Sequence, residues 1–163
     1  MKRLIPHPVL SLALFLLWLL LVNGLAPGSL LMAGLLALVL PHLAGRWWPN
    51  PAPVRHLPLL AAYVVLVLRD IVVANIQVAR IILFMPRDRI RSAWIAVPVD
   101  LRSAEAITLL AGTITMTPGT VTADMTADGR VLLIHSLHAP DPDAVRDEIK
   151  SRYEARLKRI FDE

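Results

Sequence analysis

The sequence predicts a membrane-anchored protein in two parts: an α-helical membrane region over residues 1–85, then a small water-facing α+β domain of order β-α-β-β-α over 86–163. Three observations predict it. The 163 residues are 56% hydrophobic and only 18% charged, where a water-soluble domain carries about 25% charged residues. Charge is divided: residues 1–85 hold six Lys/Arg against the single acid Asp70, whereas 86–163 hold eleven bases and twelve acids. The hydrophobic pattern also changes at Pro86, from long apolar runs to short segments separated by turn residues. The sequence pI of about 10.1 therefore describes no uniformly basic surface, and nucleic acid is not an expected partner.

The first apolar segment, about residues 4–25, is long enough for a hydrocarbon core that needs about 20 residues. Lys2-Arg3 ahead of Val9–Val22 imitates a signal peptide, but a second apolar run follows at once, so a retained hairpin is expected. Pro27-Gly28 is read as the turn. The second segment, about 29–48, ends in Gly45-Arg46-Trp47-Trp48, and paired tryptophans beside an arginine suit the headgroup boundary. Pro49, Pro51 and Pro53 make a stiff connector that cannot be helical.

A third apolar segment, about 57–84, is apolar on all sides up to Leu68 and then carries Arg69, Asp70, Gln77 and Arg80. At 100° per residue these four fall within one arc of about 100°, a narrow polar stripe on an otherwise apolar helix. Basic flanks prefer the cytoplasm. Lys2 with Arg3, Arg46 with Arg55, and Arg80 with Arg87, Arg89 and Arg91 are all cytoplasmic only if the first two segments form a hairpin and the third does not cross. A segment of 28 residues reaches about 42 Å and could also span with tilt, so two and three spans both remain open. A cytoplasmic C-terminal domain is expected in either case.

Past Pro86, residues 93–99 read as a strand. Asp100 or Ser103 caps a short helix over about 104–111, and the threonine-rich 113–125 contains a bend at Pro118-Gly119 followed by a strand over 120–125. Asp128-Gly129 signals a hairpin into a returning strand at 131–137. Asp141-Pro142 opens a last helix, whose apolar stripe is Val145, Ile149, Tyr153, Leu157 and Ile160.

Charges deep in a membrane are costly, which singles out Arg69 and Asp70. Neighbours on a helix point about 100° apart and neutralise one another poorly, so partners from another chain or the water interface are expected for them. Arg69, Asp70, Gln77 and Arg80 are thus the candidate subunit-contact or ion-path residues. Arg87, Arg89 and Arg91 suit anionic lipid headgroups. His135 and His138 fall on opposite faces of a strand and make a poor metal pair. Thr113, Thr115, Thr117, Thr120 and Thr122 read as strand formers rather than nucleophiles. With no cysteine, no paired carboxylates, no phosphate-binding glycine loop and no catalytic triad, neither an enzyme nor a cofactor is expected.

The run Thr113-Ile114-Thr115-Met116-Thr117-Pro118-Gly119-Thr120-Val121-Thr122, with the later Ile134-His135-Ser136-Leu137, resembles the E subunit of bacterial Mrp-type (Mnh, Pha) cation/proton antiporters. Ala74-Asn75-Ile76-Gln77-Val78-Ala79 and the N-terminal hairpin match the same family, in order, over nearly the whole chain. Ile134 stands where the family often has valine. The resemblance marks Thr115, Thr117, Pro118, Gly119, Thr120 and His135 as family-motif positions, with no catalytic role. It implies an accessory, scaffolding subunit of a multisubunit Na+/proton antiporter in the bacterial plasma membrane. Its partners would be large complex I-like membrane subunits, small accessory subunits and membrane lipids. A stand-alone membrane-anchored adaptor and a single-chain channel are the rival expectations.

Overall fold

Two helices of small-residue contact, then a third helix laid on an α+β sandwich, make up the computed structural model, which describes residues 7–45, 52–54 and 56–163. Expectations placed on Lys2, Arg3, Arg46, Trp47, Trp48, Pro49, Pro51 and Arg55 lie outside the described residues. By contact the chain divides into residues 1–51 and 52–163, so the third helix packs with the C-terminal elements.

In the first unit, α1 (Pro8–Val22) and α2 (Pro27–Ala44) pack as a hairpin. Among the described residues of this unit Ser11, Ala33, Ala37 and Pro41 are buried, and the first three are small side chains that let two apolar helices approach closely. The turn is not at Pro27-Gly28 as the sequence suggested. Asn23, in the left-handed region at φ 48°, ends α1, and Pro27 opens the first turn of α2, where its missing N–H costs nothing. By length and hydropathy α2 could cross a bilayer, while α1 is shorter.

The second unit opens with α3 (Leu57–Phe84), also long and apolar enough to cross. A three-residue turn at Arg87–Arg89 leads to β1 (Ala93–Pro98), α4 (Ala104–Met116), β2 (Thr120–Met125) and β3 (Val131–Ser136). The chain closes with α5 (Pro142–Ile149), a π turn at Lys150–Glu154 and α6 (Ala155–Phe161). The strands form an antiparallel sheet of order β1-β3-β2. Ile95, Val97, Leu132 and Ile134 line its inner face, as the period of two requires, and α4 and α5 pack on β2 and β1. Leu110 and Ile114 from α4 and Leu157 and Ile160 from α6 complete the core, and α3 adds Tyr63 and Val67 against α6. The β2–β3 turn is the expected one: Gly129 sits at φ 71°, and Asp128 Oδ1 accepts from Arg130 N at 3.1 Å.

Three further expectations are corrected in this unit. Helix α4 runs on to Met116, so Thr113 and Thr115 are helical and Thr117 is the C-cap, none of them a strand residue. Tertiary packing overrides their β propensity, because Thr113 and Ile114 are buried on the same helix face as Leu110. Strand β3 ends at Ser136, which leaves His138 beyond it, accepting from Arg91 N at 3.2 Å. The last helix is not continuous. Its stripe advances in steps of four from Val145 to Leu157, a drift of about 120° on an α-helix, and the wider π turn takes up that drift.

Caps decide between alternatives the sequence left open. Ser103 caps α4, whereas Asp100 pairs with Lys150 Nζ at 3.0 Å. Asp141 caps α5 by accepting from Asp143 N and Ala144 N, each at 3.1 Å. Glu163 accepts from Arg102 N and Ser103 N and ties the chain end to the start of α4. Burial disfavours its charge, but those N–H donors outweigh burial and hold its carboxyl below the ordinary value.

Candidate functional site

The seam between α3 and the α+β domain gathers most of the residues the sequence singled out. Asp70 is only 8% exposed, on the inner stripe of α3 with Tyr63, Val67 and Ala74. Arg152 Nε donates to Asp70 Oδ2 at 2.7 Å, Arg152 Nη2 donates to Oδ1, and the Tyr153 hydroxyl donates to Oδ2 at 3.0 Å. The expectation that Asp70 is satisfied from another chain or at the water interface is therefore corrected: the π turn of the same chain supplies the partner. A fork-shaped guanidinium on both carboxylate oxygens is the geometry in which a half-buried pair is best satisfied.

The π turn brings this about. Arg152 and Tyr153 are consecutive, yet both reach one carboxylate, while Glu154 turns away to accept from Asp100 N and pair with Lys150 Nζ at 2.9 Å. Burial works against the Lys150 charge, yet the Glu154 and Asp100 carboxylates more than offset it and hold the ammonium above its ordinary value. The Arg152 guanidinium is likewise pushed up, chiefly by its hydrogen bond to Asp70.

The Tyr153 phenol is pushed up to about 12, by burial first and by its hydrogen bond to Asp70 second. A phenol whose folded value exceeds the unfolded value of about 10 contributes stability below pH 10 and loses it as pH rises towards 12. Thermal unfolding followed by fluorescence should hold level up to about pH 10 and then lose on the order of 2 kcal/mol towards pH 12. Tyr153→Phe should remove this share of the fall and leave the share that Lys150, held above its ordinary value by Glu154 and Asp100, loses at high pH.

Beside this clamp lies a cavity of about 360 Å³, lined by Gln77 and Val78 of α3, by Thr117, Pro118, Gly119 and Thr120, and by His138 and Arg152. The threonine run is a helix stop. Thr115 Oγ1 donates to Ala111 O, Thr117 Oγ1 to Thr113 O and Thr120 Oγ1 to Ile114 O, at 2.9, 2.9 and 2.7 Å. Of these carbonyls only Ile114 O lacks a backbone donor, because Pro118 stands where that donor would be; Thr113 O already accepts from Thr117 N, and Pro118 cannot continue the helix. Gly119 has φ 91°, and a Cβ there would stand 2.9 Å from Val78 Cγ2, so α3 and the bend meet at a position only glycine fills without strain.

Asp70, Gln77, Thr117, Pro118, Gly119 and Thr120 are thus brought together. Arg69 and Arg80 are not; they are exposed on α3, away from its inner stripe. Thr115 also lies outside the cavity lining. His135 sits on the outer face of the sheet, edge-on to Trp94 with ring centroids 4.8 Å apart. Arg152 and Glu154 are the residues of this seam to which the sequence does not point. Arg152 carries no periodic signal, and the helical stripe assigns Tyr153 only an apolar role, though a buried phenol hydroxyl calls for a partner. Among the described residues no group of three or more His, Asp or Glu is placed to hold a metal ion. The chemistry of the site is that of a charged joint, fastening a long apolar helix to a polar domain.

A family model described as Na+/H+ ion antiporter subunit matches residues 11–160. The chain is 33% identical over 162 residues to the E subunit of a probable K(+)/H(+) antiporter of Rhizobium meliloti (strain 1021), covering 99% of this chain and 100% of that one. It is 26% identical over 152 residues to the E1 subunit of a Na(+)/H(+) antiporter of Staphylococcus epidermidis (strain RP62A), covering 93% and 95%. A chain in the structure of the membrane-bound sulfane sulfur reductase, an archaeal respiratory membrane complex, superposes with a TM-score of 0.71 at 25% identity, covering 94% and 97%.

Proposed function

The chain belongs to the MNHE family of Na+/H+ ion antiporter subunits, and on that premise we propose that it is an accessory, scaffolding subunit of a multisubunit monovalent cation/proton antiporter in the bacterial plasma membrane. The apolar hairpin holds it in the bilayer and the α+β domain faces the cytoplasm. Its partners are the large complex I-like subunits and small accessory subunits of the same complex, with membrane lipid around them.

The observation that carries this reading is the fate of Asp70, the only acid ahead of Asp88. An ion or proton relay through a membrane needs a carboxylate that can change its charge or its ligand. Asp70 is instead held by Arg152 on both oxygens and by Tyr153. The ion path then belongs to the other subunits, and so does the choice of cation, which the names of the two relatives give differently.

Co-purification tests the reading. A tag after Glu163, with mild extraction of the native membrane, should recover large antiporter-like subunits. Asp70→Asn should lower the yield of assembled complex, and salt tolerance with it, while turnover per assembled complex is unchanged. Recovery of the chain alone, or with unrelated soluble proteins, would sink the reading and leave a stand-alone anchored adaptor. Full assembly with turnover lost would move Asp70 into the ion path.

A further inference from the structure

We propose that α3 does not cross the bilayer but lies along its surface, with its outer face set into the headgroup–acyl boundary of an anionic phospholipid membrane. The proposal rests on the membrane-subunit reading and adds to it where the third apolar helix goes and what its open face binds.

By length and hydropathy alone α3 qualifies as a span. Its other contacts argue against one. Ahead of the helix, His56 Nε2 meets Asp162 Oδ1 at 3.0 Å. The Tyr63 hydroxyl and Thr113 Oγ1 are 2.8 Å apart, Asp70 is clamped by Arg152, and Val78 packs on Gly119. From His56 to Val78 the helix runs about 33 Å over the domain, a length comparable to the whole hydrocarbon core of about 30 Å. Arg156 and Arg159 of α6 stand beside Leu59, Ala62 and Tyr63 of α3. A crossing α3 would carry these arginines, Arg152 and the polar domain into lipid with it, or shed every one of those contacts.

The opposite face fits a surface. Val65, Leu68, Val72, Ile76 and Leu83 are all exposed and follow one another at helical spacing. Arg69 and Arg80, eleven positions or about three turns apart, project along one edge of that stripe and are exposed. Arg87, Arg89 and Arg91 continue the exposed basic series past the end of the helix. An apolar stripe edged by arginines, whose stems lie in the boundary while their guanidinium groups reach phosphate, is the pattern of an in-plane helix on anionic lipid.

The chain has no cysteine, so single labels can be placed without background. Val65→Cys, Leu68→Cys, Val72→Cys, Ile76→Cys and Leu83→Cys, with Leu35→Cys in α2 as reference, would be spin-labelled in the full chain. The protein would be reconstituted in vesicles of phosphatidylcholine with phosphatidylglycerol, and depth read from collision with oxygen against a water-soluble nickel chelate. The expected result is a deep label at Leu35 and one shared shallow depth at all five α3 positions. Omitting phosphatidylglycerol, or combining Arg69→Gln with Arg80→Gln, should shift those five labels outward. With Leu35 deep, an α3 profile that deepens towards Val72 and rises again at Leu83 would overturn the proposal and establish a third span. Five labels freely reached by the nickel chelate would overturn it as well, because the face would then not be in lipid. A depth that ignores both phosphatidylglycerol and the arginines would overturn the anionic partner. A shallow Leu35 would remove the membrane-subunit reading itself.

Discussion

Arg152→Leu is expected to destabilise residues 52–163 by about 3 kcal/mol, because it leaves the Asp70 carboxylate buried with only the Tyr153 hydroxyl to satisfy it. The leucine is itself tolerable at this position, since Arg152 already lines a cavity with Val73, Val78 and Ile149 that an apolar side chain can share. The loss is that of an uncompensated charge rather than of a contact. Two further variants separate these causes. Asp70→Leu alone strands the guanidinium, which is 30% exposed and can turn to water, so its cost should be smaller. The double variant, Asp70→Leu with Arg152→Leu, should recover much of what Arg152→Leu loses, as replacing both members of a buried pair commonly does. Thermal unfolding of the purified chain in detergent, followed through protease resistance of the C-terminal domain, reads all three. A double variant no better than Arg152→Leu would show that the seam depends on something other than this pair.

Gly119→Val should cost a similar amount, about 3 kcal/mol, by two additive routes. A β-branched residue at φ 91° is strained whatever its surroundings. Its Cβ would also press on Val78 Cγ2, which belongs to a helix held at Asp70 and Tyr63 and cannot move away freely. Combining Gly119→Val with Val78→Ala relieves only the second route, so it should restore part of the stability and leave the backbone strain. Full restoration would mean that the bend can adopt another conformation and that glycine is required only for room. The same unfolding measurement distinguishes these results.

Much of the architecture is legible in the residues themselves. The three apolar segments, the antiparallel hairpin at Asp128-Gly129 and the Asp141-Pro142 helix start all follow from interactions within about four residues, and local chemistry suffices to place them. Membrane character is equally local, since it depends on how many apolar side chains follow one another. The threonine-proline-glycine run is recognisable as a motif, but its physical task is not local. Whether Thr113 and Thr115 serve a strand or a helix end depends on what packs on α4, and that is set by Leu110, Ile114 and the sheet.

What only the tertiary structure decided is the partner of Asp70. Arg152 lies 82 positions away and carries no periodic signature. It reaches the carboxylate because a π turn opens at Lys150–Glu154, and that turn realigns an apolar stripe over the core. The polar stripe of α3 divides for the same reason. On an isolated helix Arg69, Asp70, Gln77 and Arg80 share one arc. Once a domain packs on one edge of that arc, Asp70 falls inside the seam, Gln77 on the rim of the cavity, and the two arginines outside. Helical periodicity determines which residues lie side by side. Which of them are buried is a property of the surface laid against them, and that surface is built from residues far along the chain.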